Sequence, residues 1–491
     1  MRSLKHRTVH ALCWSFVGTG GKVLAQFFIQ IWLARTLGPG PYGAFAAMLI
    51  LVSIGVLLAE SGFGSSLVQR KTLTDADIEH ATGLVLTTST ALSLLILLNA
   101  QTLVSLFGFP AGGGSLDIVL CAVLVPVLAL SNISLALLRR NLRQQAIAAL
   151  QLASYVVGFG GVGVLAAMAG WGATALLIAH LTQAVLTLVG GYAMTRHPLR
   201  MRLSGDRSLM RFGLQVVMTN VVNWLIENCD KYLIGRYWGT PELGAYTVAT
   251  NLARTPCGIL LGAIQPVAFS SASRVQDEVT RLKEGYLDLL NLTSLVVFPL
   301  FALLHVNAHS IITHLYGDAW ATAIPLFAVM CVAIPTYALL AVTGPILWAT
   351  DHVRKELHSQ IVVAVLMAAA LLLLRDYPLT EVIWVIPALY LLRFVMVCRA
   401  LAITFGLGLS ALVVSLRGGL VLAVVAAGTN HLGTSLPGLQ GSTALVTSMV
   451  PPLLATVLTL LTGWLFARHL VQHRLRAVLA ARWPKRAAVA A

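Results

Sequence analysis

Arg35-Thr36-Leu37-Gly38-Pro39-Gly40-Pro41-Tyr42-Gly43-Ala44-Phe45 returns as Arg236-Tyr237-Trp238-Gly239-Thr240-Pro241-Glu242-Leu243-Gly244-Ala245-Tyr246, at a constant offset of 201 residues. The shared pattern is Arg-x-x-Gly-x-x-x-x-Gly-Ala-aromatic. Each copy lies between two long apolar runs and joins the first two helices of a six-helix block. Glycines at these places allow a tight turn and a close approach of backbone to backbone. A repeat with a fixed offset speaks for the architecture of the whole chain.

The runs around the two copies are of membrane-spanning length, since about 20 mostly apolar residues cross the hydrocarbon core. Fourteen runs qualify: 11–34, 41–60, 79–101, 115–138, 147–169, 172–194, 212–235, 241–270, 286–306, 320–350, 359–374, 380–398, 408–428 and 444–467. The first is too long for a signal-peptide core and reads as a retained helix. The eleventh is the shortest. Pro256 and Pro266 interrupt the eighth, and Pro325, Pro335 and Pro345 the tenth, which predicts kinks or tilts there. Composition agrees: 58% of the residues are hydrophobic and 10% charged, against about 25% charged in soluble proteins. The six cysteines sit in or beside apolar runs, no two close in sequence, and read as small apolar core residues. The expected fold class is an all-α polytopic membrane protein of about fourteen transmembrane helices. Residues 1–211 form one six-helix lobe and 212–405 a second, related to it by a pseudo-two-fold axis along the membrane normal. Residues 406–491 add two helices and a basic tail.

Basic residues orient the chain. With the N-terminus inside, twenty-five of the 33 lysines and arginines fall in inside segments, and only Arg35, Arg236 and Arg375 fall outside. Lys22, Lys231, Arg254, Arg393 and Arg417 fall within spans. The alternation persists to the C-terminus, so both termini are expected in the cytoplasm. The net charge of +15 is therefore mainly a topology signal and does not point to nucleic acid.

The offset of 201 also relates two polar stripes. Thr19, Lys22, Gln26 and Gln30 share one face of the first helix; Asn220, Asn223, Glu227 and Lys231 share one face of the seventh, with Asp230 beside them. Polar residues within spans face a bundle interior or a watery cavity. The stripes are expected to line a space between the lobes; the competing reading is interhelical hydrogen bonding. A charge at mid-membrane costs about 2.5–3.5 kcal/mol on insertion scales. Lys22 and Arg254 lie near mid-depth, and Arg254 shares a face with Thr247, Asn251 and Gly258. The candidate substrate-binding residues are Lys22, Arg254, Asn251, Gln26, Gln30, Asn220, Asn223 and Arg393. Glu227 and Asp230 are candidates for a coupling ion or for pairing with the cations. Lys231 and Arg393 lie close enough to span ends to snorkel. Glu60, at the cytoplasmic edge, reads as a surface residue.

Gly158-Phe159-Gly160-Gly161-Val162-Gly163 satisfies G-x-G-x-x-G, but it has no preceding strand, and close helix packing explains it. His305, His309 and His314 lack the partners of a metal motif. No metal and no catalytic residues are expected.

Leu33-Ala34-Arg35-Thr36-Leu37-Gly38-x-x-x-Tyr42-Gly43 resembles the first loop of the oligosaccharide flippase (Wzx-type, polysaccharide transport) family of the MOP superfamily. So do Gly62-Phe63-Gly64-Ser65-Ser66-Leu67-Val68-Gln69-Arg70-Lys71, Asp230-Lys231-Tyr232-Leu233-Ile234-Gly235-Arg236 and Leu315-Tyr316-Gly317-Asp318-Ala319-Trp320. The resemblance runs from about residue 10 to 405. It implies a MATE-like, alternating-access transporter, not an enzyme. The implied substrate is an undecaprenyl-diphosphate-linked oligosaccharide, turned across the bacterial inner membrane for exopolysaccharide, O-antigen or capsule. The family pattern has an arginine five residues before the proline of the eighth helix. Here that place is Asn251, with Arg254 one turn further on. The expected partners are the lipid-linked substrate, membrane lipids and, in the same route, a polysaccharide polymerase and a chain-length regulator. No cofactor is expected; coupling to a proton, to sodium or to the membrane potential stays open. A diphosphate needs cations, for which Lys offers a point charge and Arg a fork of donors. The alternatives are a peptidoglycan lipid-precursor flippase, a multidrug or cation exporter of the same superfamily and, last, an integral glycosyltransferase or ligase, which the short outer loops disfavour.

Reporter fusions after Arg211 and at the C-terminus should read as cytoplasmic, and fusions near Gly113 and Gly317 as periplasmic. A periplasmic C-terminus would mean that the span count is off by an odd number.

Overall fold

A computed structural model describes residues 23, 25–60, 66–68, 70, 72–107, 115–202, 207–274, 278–350 and 352–435. Every regular element among them is helical. Residues 25–37 form α1. There follow α2 (Pro39–Glu60), α3 (Asp75–Leu98), α4 (Ala100–Phe107), α5 (Ser115–Arg140), α6 (Gln144–Met168) and α7 (Gly172–Thr195). Then come α8 (Arg207–Tyr237), α9 (Thr240–Arg274), α10 (Val279–Val306), α11 (Ala308–Tyr316), α12 (Ala323–Ala349), α13 (Val353–Leu373), α14 (Val385–Phe405) and α15 (Leu409–Ser435).

Ten of the described helices are long and apolar enough to cross a membrane. Two further helices, α8 and α9, have 31 and 35 residues. At about 1.5 Å per residue each exceeds the ~30 Å hydrocarbon core. These are the seventh and eighth expected spans, the ones that carry Asn220 to Asp230 and Asn251 to Arg254. The fourteenth expected span, the basic tail, and the first span through Lys22, with Thr19 and Cys13, lie outside the described residues. The described cysteines are all free, and four of the five are buried.

Three elements differ from their expected form. α13 begins at Val353 instead of 359, so Arg354, Lys355 and Glu356 belong to a helix and not to a loop. Its charged first turn hid the start; Glu356 is buried there because it has an ion-pair partner. α6 is not uniform, since Val156–Gly163 is wound as a π-helix. An i→i+5 repeat brings Gly158 and Gly163 into line. A Cβ at Gly158 would lie 2.7 Å from the Ala179 carbonyl oxygen, and one at Gly163 2.8 Å from the Ala179 side chain. The G-x-G-x-x-G run is thus a packing face against α7. Finally, Glu60 is partly buried, hydrogen-bonded to Asn132, and not a surface residue.

The described residues form two compact units. The first runs through Thr247 and takes in Leu315–Thr322 and Leu371–Leu379; the second holds Val248–His314, Ala323–Ala370 and the residues after Thr380. These are units of packing. The division at 211 and 405 concerns duplication and stays an expectation.

In the first unit the two motif copies meet. Gly38 and Gly239 have φ of +77° and +95°, the left-handed turn that glycine permits. A Cβ on Gly43 would fall on the Thr240 carbonyl oxygen, and one on Gly244 on the Pro39 carbonyl oxygen. Since 39 and 240, and 43 and 244, are equivalent positions, the contact is reciprocal. Small residues let helix backbones approach in this way in membranes, where van der Waals contact drives association. Trp320 is fully buried beside this junction, its indole donating to the Ala34 carbonyl at 3.1 Å and its ring edge-on to Tyr42. At the other end Arg140 donates to the carbonyls of Leu67, Val68 and Arg70.

In the second unit α10 lies against α15 and α12. A Cβ on Gly419 would sit 2.5 Å from the Ser294 carbonyl oxygen, and Tyr286 is hydrogen-bonded to Thr343 at 3.0 Å. Leu290, Leu347 and Leu412 fill the core between these helices, together with Leu401 of α14. The thirteenth expected span is therefore an integral layer of this unit.

Gly43→Ala and Gly244→Ala should each lower thermal stability in detergent by about 1–3 kcal/mol, the range for overpacking. Gly38→Ala has open space around it and should cost only its φ strain, about 1–2 kcal/mol. The double Gly43→Ala/Gly244→Ala variant should cost less than the sum, because one separation of the backbones relieves both clashes. Unfolding midpoints of the purified variants check all three.

Candidate functional site

Two polar clusters stand out, one in each unit. In the first, α2, α5, α7 and α8 surround a cavity of about 510 Å³. Its apolar wall is Leu49, Val52, Val56, Leu57 and Leu128. Its polar groups are Ser53, Glu60, Asn132, His180 and Asn220. The Asn132 amide donates to Glu60 Oε1. Trp224 Nε1 donates to Ser53 Oγ at 2.8 Å, tying α8 to α2, while Ser53 itself donates to the Ile50 carbonyl at 2.9 Å. The His180 ring stands edge-on to Phe159 and Phe45 at 6.0 and 6.4 Å.

In the second unit Arg254 donates through Nη2 to the Tyr390 hydroxyl at 3.3 Å, and its Cζ lies 5.6 Å from the centroid of the Tyr337 ring. The two tyrosine rings are 5.9 Å apart. An aromatic face attracts a cation, the more so where water is scarce. One turn along α14 from Tyr390, Arg393 pairs with Glu356 at 3.5 Å; the two side chains are 16% and 8% exposed. Gln360 donates to the same Glu356 oxygen at 3.2 Å. The patch thus gathers three charged side chains, Arg254, Arg393 and Glu356, and two tyrosines.

The expected site residues divide by what they touch. Gln30 accepts from the Tyr42 hydroxyl, and Asp230 from the Tyr246 hydroxyl and, at 2.8 Å, from the Lys231 amide. Both acceptors tie a helix to the next one at equivalent ends of the repeat. Asn220 lines the cavity, while Asn223 and Glu227 are exposed on α8. Asn251 is exposed on α9 a turn before Arg254, and Gln26 is partly buried on α1. Arg393 has its ion pair, and Arg417 is exposed on α15. Lys22 lies outside the described residues. Asn132, His180, Tyr337, Tyr390 and Glu356 join the clusters without having been expected. The spacing of Tyr390 and Arg393 on one helical face was the available signal; the others carry none that distinguishes them from core residues.

The family model described as "Polysaccharide biosynthesis protein" matches residues 32–325. The lipopolysaccharide biosynthesis protein WzxC of Escherichia coli is 24% identical over 343 residues, covering 67% of this chain and 67% of its own. The succinoglycan biosynthesis transport protein ExoT of Rhizobium meliloti is 26% identical over 324 residues, covering 65% of each chain. The matched stretch thus spans about two thirds of these relatives' length. Among solved structures, the lipid II flippase MurJ in an inward closed conformation superposes with a TM-score of 0.75 at 14% identity, over 94% of this chain and 100% of that one. At that identity the likeness shows the fold alone. It is the all-α, multi-pass MOP fold expected from the sequence.

Glu356→Gln removes the partner of a shielded arginine, and breaking such a pair costs on the order of 3 kcal/mol. The unfolding midpoint in detergent should fall accordingly. Glu356→Gln combined with Arg393→Gln should regain part of the loss, which a double-mutant cycle reads directly.

Proposed function

We propose, from the fact that the chain belongs to the polysaccharide biosynthesis protein family, that it turns undecaprenyl-diphosphate-linked oligosaccharide repeat units from the cytoplasmic to the periplasmic leaflet of a bacterial inner membrane. The single observation that carries the reading is the family match over residues 32–325, which contain both motif copies and the Arg254 helix. The chain is a transport protein and not an enzyme in this reading, and ExoT is named a transport protein. Both termini lie in the cytoplasm in this reading. Export of exopolysaccharide, O-antigen or capsule precursors would place it beside a polymerase and a chain-length regulator.

The geometry supports a part for Arg254. Its guanidinium lies beside the Tyr337 ring and donates to the Tyr390 hydroxyl, on a helix that exposes Asn251 one turn earlier. A guanidinium so arranged keeps its charge and presents forked donors to phosphate oxygens. Lys22, on the polar face of the first helix, is the second cation of the proposal. Arg393 is the weaker candidate because Glu356 already neutralises it. Alternating access moves the diphosphate past these cations while the lipid tail stays in the bilayer. For a coupling proton or sodium ion, Glu227 is the more available carboxylate, since Asp230 is engaged by Tyr246. A peptidoglycan-precursor flippase shares the diphosphate lipid, but only the fold of MurJ speaks for it here.

Arg254→Gln or Lys22→Gln should leave the protein inserted and abundant, yet cut export of repeat units at least tenfold, about 1.4 kcal/mol of lost stabilisation. Lys22→Arg should keep part of the activity. Arg200→Gln, in an exposed loop segment, should do little. Export normalised to protein level decides the matter; near-normal export by both glutamine variants would refute the cation reading.

A further inference from the structure

The first unit's cavity is not accounted for by diphosphate binding. Among the described residues its lining holds one carboxylate, Glu60, and no lysine or arginine. A diphosphate would meet like charge there, which costs affinity. Nor does it suit a metal ion: among the described residues no three His, Cys, Asp or Glu side chains gather to hold one. Its volume of about 510 Å³ falls within the range of small-molecule sites, about 300–1,000 Å³.

We propose that this cavity is a sugar subsite, which takes a neutral pyranose ring of the lipid-linked oligosaccharide against Glu60, Asn132 and Asn220. The inference rests on the flippase reading above. A sugar ring has apolar C–H faces and a rim of hydroxyls. The Leu and Val wall suits the faces, and the polar groups at the Glu60 end suit the rim. An ionised carboxylate offers about four acceptor positions, and one Asn132 N–H occupies one of them. The rest accept hydroxyl protons from the sugar. Asn132 also holds the carboxylate in place before the ligand arrives, so less ordering is required on binding. Asn220 supplies an amide with both donors and an acceptor. Ser53 is excluded from this role, because it already donates to Ile50 and accepts from Trp224. The cavity runs along the C-terminal half of α2, from Leu49 to Glu60. In the orientation read from the basic residues this is the cytoplasmic half, where the sugar begins its passage.

The test is binding by the purified full chain in lipid nanodiscs. One probe is the lipid-linked repeat unit extracted from host cells that lack this transporter; the other is sugar-free undecaprenyl diphosphate. The wild-type protein should bind the repeat unit more tightly. Glu60→Gln keeps the size and the contact to Asn132 but removes the charge. It should weaken repeat-unit binding roughly tenfold and leave undecaprenyl diphosphate unchanged. Asn220→Ala, on an exposed part of α8, should give the same split without touching the packed core, and it serves if Glu60→Gln fails to fold. Equal weakening of both lipids, or no change for the repeat unit, would overturn the subsite while the flippase reading stands. If the wild type binds neither lipid, the flippase reading falls and the subsite with it.

Discussion

The closest constraint in the described structure is the backbone approach of α2 and α9 at Gly43 and Gly244. Each glycine occupies the space beside a carbonyl of the other helix's first turn, Thr240 and Pro39. No side chain fits there, not even a methyl. The turns at Gly38 and Gly239 aim both helices into this contact. Around it are seated Trp320, bonded to the Ala34 carbonyl, and Tyr42, which reaches back to Gln30. Tyr246 reaches back to Asp230 in the corresponding way. In hydrocarbon there is no gain from hiding apolar surface, so such close contacts, with the hydrogen bonds they carry, are what holds helices in register.

The polar residues within spans then fall into two groups for a physical reason. An unpaired polar group in the bilayer is expensive, so most are bonded to a neighbouring helix. Gln30, Asp230 and Arg393 belong to this group, each bonded to a side chain of another helix. Asn220, Asn223, Glu227 and Asn251 remain available on α8 and α9. Residues that do not pay for themselves in packing are the ones a polar substrate can use.

Arg254 lies between the groups. It lies beside the Tyr337 ring and donates to the Tyr390 hydroxyl. Arg393, one turn from Tyr390, has a carboxylate partner and so a structural use. Glu60 shows the same contrast for an acid: Asn132 orients it, and it still faces a cavity. A neutral hydrogen-bond donor positions a charge without cancelling it, whereas an ion pair spends it.

The sequence alone determined the helical membrane class, most spans, the motif repeat and the family. Each of these depends on local composition or on spacing along the chain. It also placed the four motif glycines in their two roles, because a turn and a close approach have few other solutions. What it did not contain were the partners. Glu60 looked like a surface residue until Asn132, 72 positions away, was found beside it. Arg354 to Glu356 looked like a loop because a charge counts against a span unless its counter-ion is known, and Arg393 lies 37 positions on. The π-helix at Val156–Gly163 was equally hidden, since its winding answers to α7 packed alongside. Tertiary structure decided these cases because burial of a polar or charged group is set by what lies across the helix boundary, and that neighbour is remote in sequence.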